Sequence, residues 1–323
     1  MRFLLDDEHV GLADTIDGLA SRADAIAANR AWADGDTAPG LTLWGSLAEL
    51  GVTGLLVAEE HGGAGAGAVE MVVAAEALGR HAVPGPVAET LAAVPVALRQ
   101  AGRSAELTEV ASGTPATITA GIWQPRAADP TTSTVFTLVD GVLHAGTADE
   151  PLATVDPSRT VAEVAPADSL GVGIALADVL NHGALATAAQ LLGLGTAMLD
   201  LATEYAKTRH QFGRAIGSFQ AVKHHLADVA VALEMARPLV HGAALALDGA
   251  VPDEVNADRE VSAAKVAAAD AAYLSARRSL QVLGAIGYTV EHDLSRYLTK
   301  TQALQSAWGT PAAHRARILD TLR

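Results

Sequence analysis

The sequence predicts a mainly α-helical protein with a small β domain set between two helical parts. Three observations predict it. Half of the 323 residues are apolar but only 4% are aromatic, so small side chains that let helices approach closely dominate. Apolar residues at helical spacing fill both ends of the chain. From about residue 113 to 182 the texture becomes short, β-branched and rich in turn residues. The division expected is an N-terminal helical domain over 1–110, a reduced β domain over 111–182 and a C-terminal helical bundle over 183–323.

In the first part, "LTLWGSLAELG" sets Leu41, Trp44, Leu47 and Leu50 at three-residue steps on one helix face, and Gly51 stands where a glycine stops a helix. "EEHGGAGAGAVEMVVAAEALGR" reads as a glycine loop and a helix ending near Gly79. No strand precedes those glycines and no Gly-Lys-Ser/Thr follows, so a phosphate loop is set aside. Residues 84–103 open on Pro84 and Pro86 and continue as a helix.

In the middle, "FTLVDGVLHA" is a hairpin signal, because Asp140-Gly141 suits a type I′ turn. "TPATITAGIW", "RTVAEVAP" and "LGVGIALADVL" read as further strands. From Leu185 the chain is helical again, and "LATAAQLLGLGTAMLDLATEYAKTR" is one helix. Ser218 reads as the N-cap of the next, which Pro238 should kink. A third begins near "PDEVNADRE" and stops before Gly284; "HDLSRYLTKTQALQS" is a fourth. Thr310-Pro311 opens the last, as an N-cap with proline at the first helical position.

A formal net charge of −15 opposes binding to nucleic acid or to an anionic membrane. Without cysteine, disulfides, thiol catalysis and zinc–thiolate sites are excluded. "MRFLLDDEHVGLADTIDG" carries acids where a signal peptide needs an apolar core, and no apolar run reaches the roughly 18–20 residues of a membrane span. The expectation is a cytoplasmic protein with no membrane span. His224 and His225 are adjacent, so on a helix they point about 100° apart, and with His210 they make no metal site. Lys265 reads as structural, Glu291 as a solvated turn, and Asp228 as paired with a neighbouring helix or its backbone.

Three stretches, in order, resemble the acyl-CoA dehydrogenase family: "LWGSLAELGVTGLLVAEEHGGAG", "TRHQFGRAIGSFQAVKHHLADVAV" and "AAKVAAADAAYLSARRSLQVLGAIGYTVEHDLSRYL". The second is similar to the family's Arg-x-x-Phe-Gly…Phe-Gln…Leu-Ala-Asp motif and the third to its Gln-x-x-Gly-Gly-x-Gly-Tyr stretch. The resemblance implies an FAD enzyme that desaturates acyl-CoA thioesters between the α and β carbons. A carboxylate removes the α proton, and its pKa must be raised for that task at neutral pH. It also implies that Arg209, Phe212, Ser218, Phe219 and Gln220, with Gln281, Val282, Leu283, Gly284 and Ala285, contact the FAD of a neighbouring subunit. Arginine suits pyrophosphate through its parallel donors, and a helix start offers free N–H groups to an anion.

The chain departs from the family pattern where the base should be. The glutamate that usually precedes Gly-Thr is replaced by Trp308, and the second family position for the base falls near Gly183, with no acid closer than Asp178. The glutamine that follows Gly-Thr corresponds to Ala312. The β domain lacks the lysine and asparagine of the strands that line the flavin ring. No catalytic residue is therefore assigned. The Gly309-Thr310 turn remains a candidate for approach to CoA or flavin.

The resemblance narrows to the smaller, base-lacking subunit of a heterotetrameric acyl-CoA dehydrogenase with two larger and two smaller chains, a type found in actinobacteria and often acting on steroid side-chain CoA thioesters. The expected partners are a larger dehydrogenase subunit with the glutamate, an acyl-CoA substrate and an electron-transfer acceptor. Two alternatives stay open: a self-sufficient homomeric enzyme with an unrecognised base, and a flavin-free scaffold or acyl-binding subunit.

Overall fold

The structure is a computed structural model, and it describes residues 5–252 and 254–322. Its first part holds α1 (Asp7–Arg22), α2 (Ala25–Ala33), α3 (Ala38–Glu49), α4 (Ala68–Arg80), a π-helical turn (Glu89–Ala93), α5 (Val94–Gln100) and α6 (Ser104–Ala111). Asp6 starts α1 by accepting the Glu8 and His9 N–H groups. In α3, Trp44 and Leu47 are buried as expected, but Leu41 and Leu50 are exposed. A strict three-residue step drifts off a 3.6-residue stripe, and Leu43 fills the core instead. Gly51 follows α3 with φ +78°, as read.

The glycine loop before α4 holds no phosphate site. Ala68 N–H and Val69 N–H donate to the two carboxylate oxygens of Asp248, and Gly67 N–H donates to Glu70. Carboxylates of the chain itself thus occupy that helix start. A Cβ on Gly79 would fall 2.9 Å from the Cα of Gln190, so this glycine lets two helix backbones touch.

The β part comprises β1 (Ala116–Ala120), β2 (Ala127–Ala128), β3 (Thr134–Val139), β4 (Val142–Ala148), β5 (Leu152–Ala153), β6 (Thr160–Ala162) and β7 (Val164–Val172). The main sheet runs β1-β3-β4-β7, with β1 parallel to β3 and the other pairs antiparallel; β2-β6-β5 forms a second, small sheet. Asp140 and Gly141, at φ +49° and +74°, make the two-residue hairpin turn that the sequence predicts. "ALADVL" is not strand. It lies in α7 (Leu176–Thr208), whose start precedes the expected boundary at 182.

Beyond α7 come a tight hairpin of β8 (His210–Gln211) and β9 (Arg214–Ala215), then α8 (Gln220–Leu247), α9 (Ala257–Leu283), α10 (Leu294–Ser306) and α11 (Pro311–Asp320). Ser218 is not the N-cap of α8. The chain makes a 3-10 turn over Ile216–Ser218, Phe219 takes the cap position, and the Ser218 hydroxyl donates back to Ala215 O. α8 runs unbroken through Pro238, an exposed position whose lost N–H partner would be the carbonyl of exposed Glu234. Asn256 caps α9, Asp253 of the expected start lies outside the described residues, and Gly284 ends α9 with φ +62°. Thr310 caps α11 through Ala313 N–H, with Pro311 first, as read.

No uninterrupted apolar run of 18 residues occurs in α7 or α8, but by length and average composition over 18 residues both helices would be long and apolar enough to cross a membrane. The α7 window is 72% buried in the protein's own core, but the α8 window only 39%. The open side of α8 carries Val231, Met235 and Leu239.

Candidate functional site

Where the β part meets α10 and α11, a cleft of about 740 Å³ opens. Trp123, Arg126 and Arg159 line one side; Gln302, Gly309 and Thr310 line the other. Trp308 sits behind it, fully buried, with φ +55°, a left-handed backbone that a bulky residue rarely adopts. Its ring packs on α7 at Gly183: a Cβ at 183 would lie 2.6 Å from the ring carbon Cε2. The two positions at which the sequence sought a base therefore face and close each other. Asp178 is far from filling the gap; it accepts from Gln100 at the exposed start of α7.

The Trp308 indole N–H donates to Glu89 Oε1 at 3.2 Å. Gln124 Nε2 donates to the same oxygen at 3.3 Å, and Arg159 Nη2 stands 3.5 Å away. Gln124 also accepts the Trp308 backbone N–H at 3.1 Å. Glu89 is 1% exposed and does not line the cleft. Sequence reasoning missed it. The signal available was one carboxylate inside the apolar run from Val87 to Leu98, and the π-helical turn is what aims it inward.

Behind Arg159 lies more buried charge. Lys300 Nζ stands 3.4 Å from Asp156 Oδ2, and Asp156 Oδ1 accepts from the Ser158 backbone N–H and hydroxyl. Asn29 of α2 donates to Ser158 Oγ and to Ala82 O. Asp129 accepts the Thr160 N–H, and burial pushes its carboxyl up to about 6. This cluster fastens α2, the β part and α10 together.

On the bundle side, Lys265 is fully buried and donates to the last carbonyls of α10, Leu304 O and Gln305 O, at 3.0 and 3.1 Å. Burial lowers its ammonium to about 7. His314 bridges Ser262 Oγ at 3.1 Å and Trp308 O at 2.9 Å, and burial lowers its imidazole to about 4. Both side chains hold the 304–309 turn, which accords with the structural reading of Lys265.

The FAD-contact residues implied by resemblance lie elsewhere, around the β8–β9 hairpin and the ends of α8 and α9. Arg209 is exposed, with no side-chain partner among the described residues. Phe212 is 92% exposed at φ +52° and packs edge-on to Phe219, ring centroids 6.2 Å apart. Arg214, which the sequence reading passed over, stacks on the Phe219 ring at 4.1 Å. Gln220 opens α8, which has no side-chain cap and no acid in its first turn. Gln281, Gly284 and Ala285 are open to solvent, whereas Val282 and Leu283 face the core. Those two can meet a ligand through backbone alone. Glu291 is exposed, as read; Asp228 is exposed too and pairs with nothing among the described residues, contrary to expectation. No cluster of metal-ligating side chains occurs among the described residues.

Residues 6–106 match the model of the acyl-CoA dehydrogenase N-terminal domain, and residues 170–322 that of the C-terminal domain. The acyl-CoA dehydrogenase IpdE2 of Mycolicibacterium smegmatis is 32% identical over 97% of this chain and 98% of its own. The chain belongs to the acyl-CoA dehydrogenase family. The family's members are oxidoreductases acting on CH–CH bonds, with FAD as cofactor. Two solved structures share the fold of this acyl-CoA dehydrogenase chain. One is the steroid ACAD Tcur3481-Tcur3483, with TM-score 0.84, 24% identity and 98% of both chains covered. The other is the ChsE4-ChsE5 complex of Mycobacterium tuberculosis, with TM-score 0.82, 23% identity, and 100% of this chain and 99% of that one covered.

The residues present fit FAD at one place and not at another. The uncapped, acid-free start of α8, flanked by Arg209 and Arg214, presents unused donors of the kind a pyrophosphate takes. The space beside Gly183, by contrast, is filled with indole and holds no carboxylate open to the cleft.

Proposed function

We propose that this chain is the base-lacking smaller subunit of a heteromeric, FAD-dependent acyl-CoA dehydrogenase, built from the three domains that the sequence suggests. The larger subunit brings the glutamate that removes the α proton. The carrying observation is the packing of Trp308 on Gly183, which closes both places where the family's base would stand. When bound, FAD supplies the two-electron acceptor for Cα–Cβ oxidation.

The residues of this chain bind and orient. Arg209 and the first N–H groups of α8 would hold the pyrophosphate, Gln220 and Gln281 would give further polar contacts, and Phe212 and Phe219 would wall off water. The named relatives support the acyl class and the assembly: one fold neighbour is a steroid ACAD and another is a two-component complex. We read the substrate as a steroid side-chain CoA thioester and the compartment as cytoplasmic, with an electron-transfer protein as the acceptor.

Co-expression with a larger dehydrogenase carrying an intact glutamate is expected to give a yellow complex with fewer flavins than chains, active on acyl-CoA. Arg209→Ala should lower its flavin content while assembly persists. A flavin-replete, active complex made of this chain alone would overturn the reading in favour of a self-sufficient enzyme. Flavin content that is indifferent to Arg209 would favour a scaffold.

A further inference from the structure

Lys265 and Lys300 are both sealed inside the protein, but only one of them has a counter-ion. Lys300 Nζ stands 3.4 Å from Asp156 Oδ2. Lys265 pairs with no carboxylate among the described residues, and its bonds are the two to Leu304 O and Gln305 O. A neutral amine has two N–H groups and an ammonium three. Two carbonyls therefore serve the neutral amine in full and leave the ammonium with a third, unpaired N–H out of reach of water.

The surroundings add no compensating charge. α11 brings His314 and Arg317, α10 brings Lys300 and α8 brings His241, while α7 carries no titratable side chain between His182 and Asp200. On α9 itself, Asp258 is taken by Arg317 and Asp270 by Arg315. Glu89, beyond Trp308, accepts from the indole. The C-terminal end of α10 favours a cation, but burial outweighs it and lowers the Lys265 ammonium to about 7.

What this side chain holds is a wall of the cleft. α10 ends on Ala307 in extended backbone, φ −63° and ψ 136°, without a left-handed glycine to close it, so its last carbonyls rely on Lys265. Directly beyond, Ala307, Gly309 and Thr310 line the cleft, and Trp308 closes the space at Gly183. α9 grips this turn at two points one helical turn apart: Lys265 holds its start, and Ser262 holds His314, which bonds Trp308 O.

We propose that Lys265 is a proton-operated latch on the cleft: the neutral amine keeps the 304–310 wall seated, and taking up a proton draws the side chain toward water and releases that wall. In the released state the side chain regains an ordinary lysine pKa of about 10.4. Release therefore takes up a proton between about pH 7 and 10, and the seated state gains as pH rises through that window, by up to about tenfold per pH unit.

The experiment measures hydrogen-exchange protection factors on the full chain from pH 7 to 9. Protection of the 304–310 amides is expected to rise several-fold to about tenfold per pH unit in the wild type, while the middle of α7 stays level. Lys265→Met carries no proton and should abolish the rise. A level wild-type profile, an equal rise in the methionine variant, or the same rise throughout α7 would each overturn the proposal. Should the variant not fold, the wild type alone decides, through NMR of 13C-labelled lysine. A Lys265 signal that titrates below about pH 9, with protection starting to rise from that midpoint, supports the latch. One that titrates above about pH 10, or a change in protection unrelated to its midpoint, overturns it.

Discussion

The ring of Trp308 lies flat enough on α7 at Gly183 that no side chain fits between them, and a Cβ there would come within 2.6 Å of Cε2. Gly183→Ala should gain helix propensity, yet we expect a net loss of about 1–3 kcal/mol from overpacking. Trp308→Leu alone should also destabilise, by leaving a cavity. The double variant should be more stable than the sum of the two losses, because the leucine leaves room for the new methyl. Denaturant titrations arranged as a double-mutant cycle measure this coupling. Simple additivity would mean that the two residues do not share one space.

Placing a glutamate at 308 should not by itself create a base. The indole N–H that now satisfies Glu89 would be replaced by a second carboxylate beside it. We expect Trp308→Glu to cost about 3–5 kcal/mol at neutral pH, from lost packing and like-charge repulsion. Crowding raises the folded pKa of such a carboxyl, so the cost should grow as pH rises above about 4. Adding Glu89→Gln should recover part of the loss and remove the part of that pH dependence due to the neighbouring carboxylate, leaving the part due to burial. Thermal unfolding across pH, and activity of the variant without its partner, test both halves of the statement.

Asp129 and His314 should oppose each other between about pH 4 and 6. The folded pKa of Asp129 is raised to about 6, so its ionisation makes stability fall as pH rises from about 4 to 6. His314 is lowered to about 4, so its protonation makes stability fall as pH drops from about 6.5 to 4. Each is of the order of 3 kcal/mol. Asp129→Asn keeps an oxygen for the Thr160 N–H and should expose a steep acid sensitivity that the wild type masks. His314→Gln should expose the opposite slope. Free energies of unfolding at pH 4.5, 5.5 and 7 distinguish the two.

How much of this was legible in the sequence follows from what each signal depends on. Local chemistry carried through: Asp140-Gly141 turned the hairpin, and Thr310-Pro311 started α11, because each is decided within a few residues. That a tryptophan precedes Gly309-Thr310 was directly readable, since it needs only a motif. What Trp308 touches was not, because Glu89 lies 219 positions away and reaches it through a π-helical turn that no periodicity announces. Ser218 failed as a cap for a related reason: the 3-10 turn that places Phe219 first is set by how the hairpin docks on α7.

Arg30 of α2 reaches across to the segment after α9 and holds it at three points. Its guanidinium donates to Val290 O at 2.6 Å, Glu291 O at 3.0 Å and Asp293 Oδ1 at 2.6 Å. That segment follows the Gly284–Tyr288 turn, whose first two residues, Gly284 and Ala285, end the Gln281–Ala285 stretch that the family resemblance implies for the flavin of a neighbour. We therefore expect Arg30 to position the turn without touching a ligand. Arg30→Met should cost about 1–2 kcal/mol, discounted because the side chain is 27% exposed, and the loss should appear locally. Hydrogen exchange should quicken at the His292 N–H, now bonded to Thr289 O, while the core of α9 stays protected. Arg30→Lys should recover only part, since an ammonium cannot span three acceptors in the same plane. Unchanged exchange in both variants would show that the turn is held by its own contacts, and that Arg30 is only a surface cation.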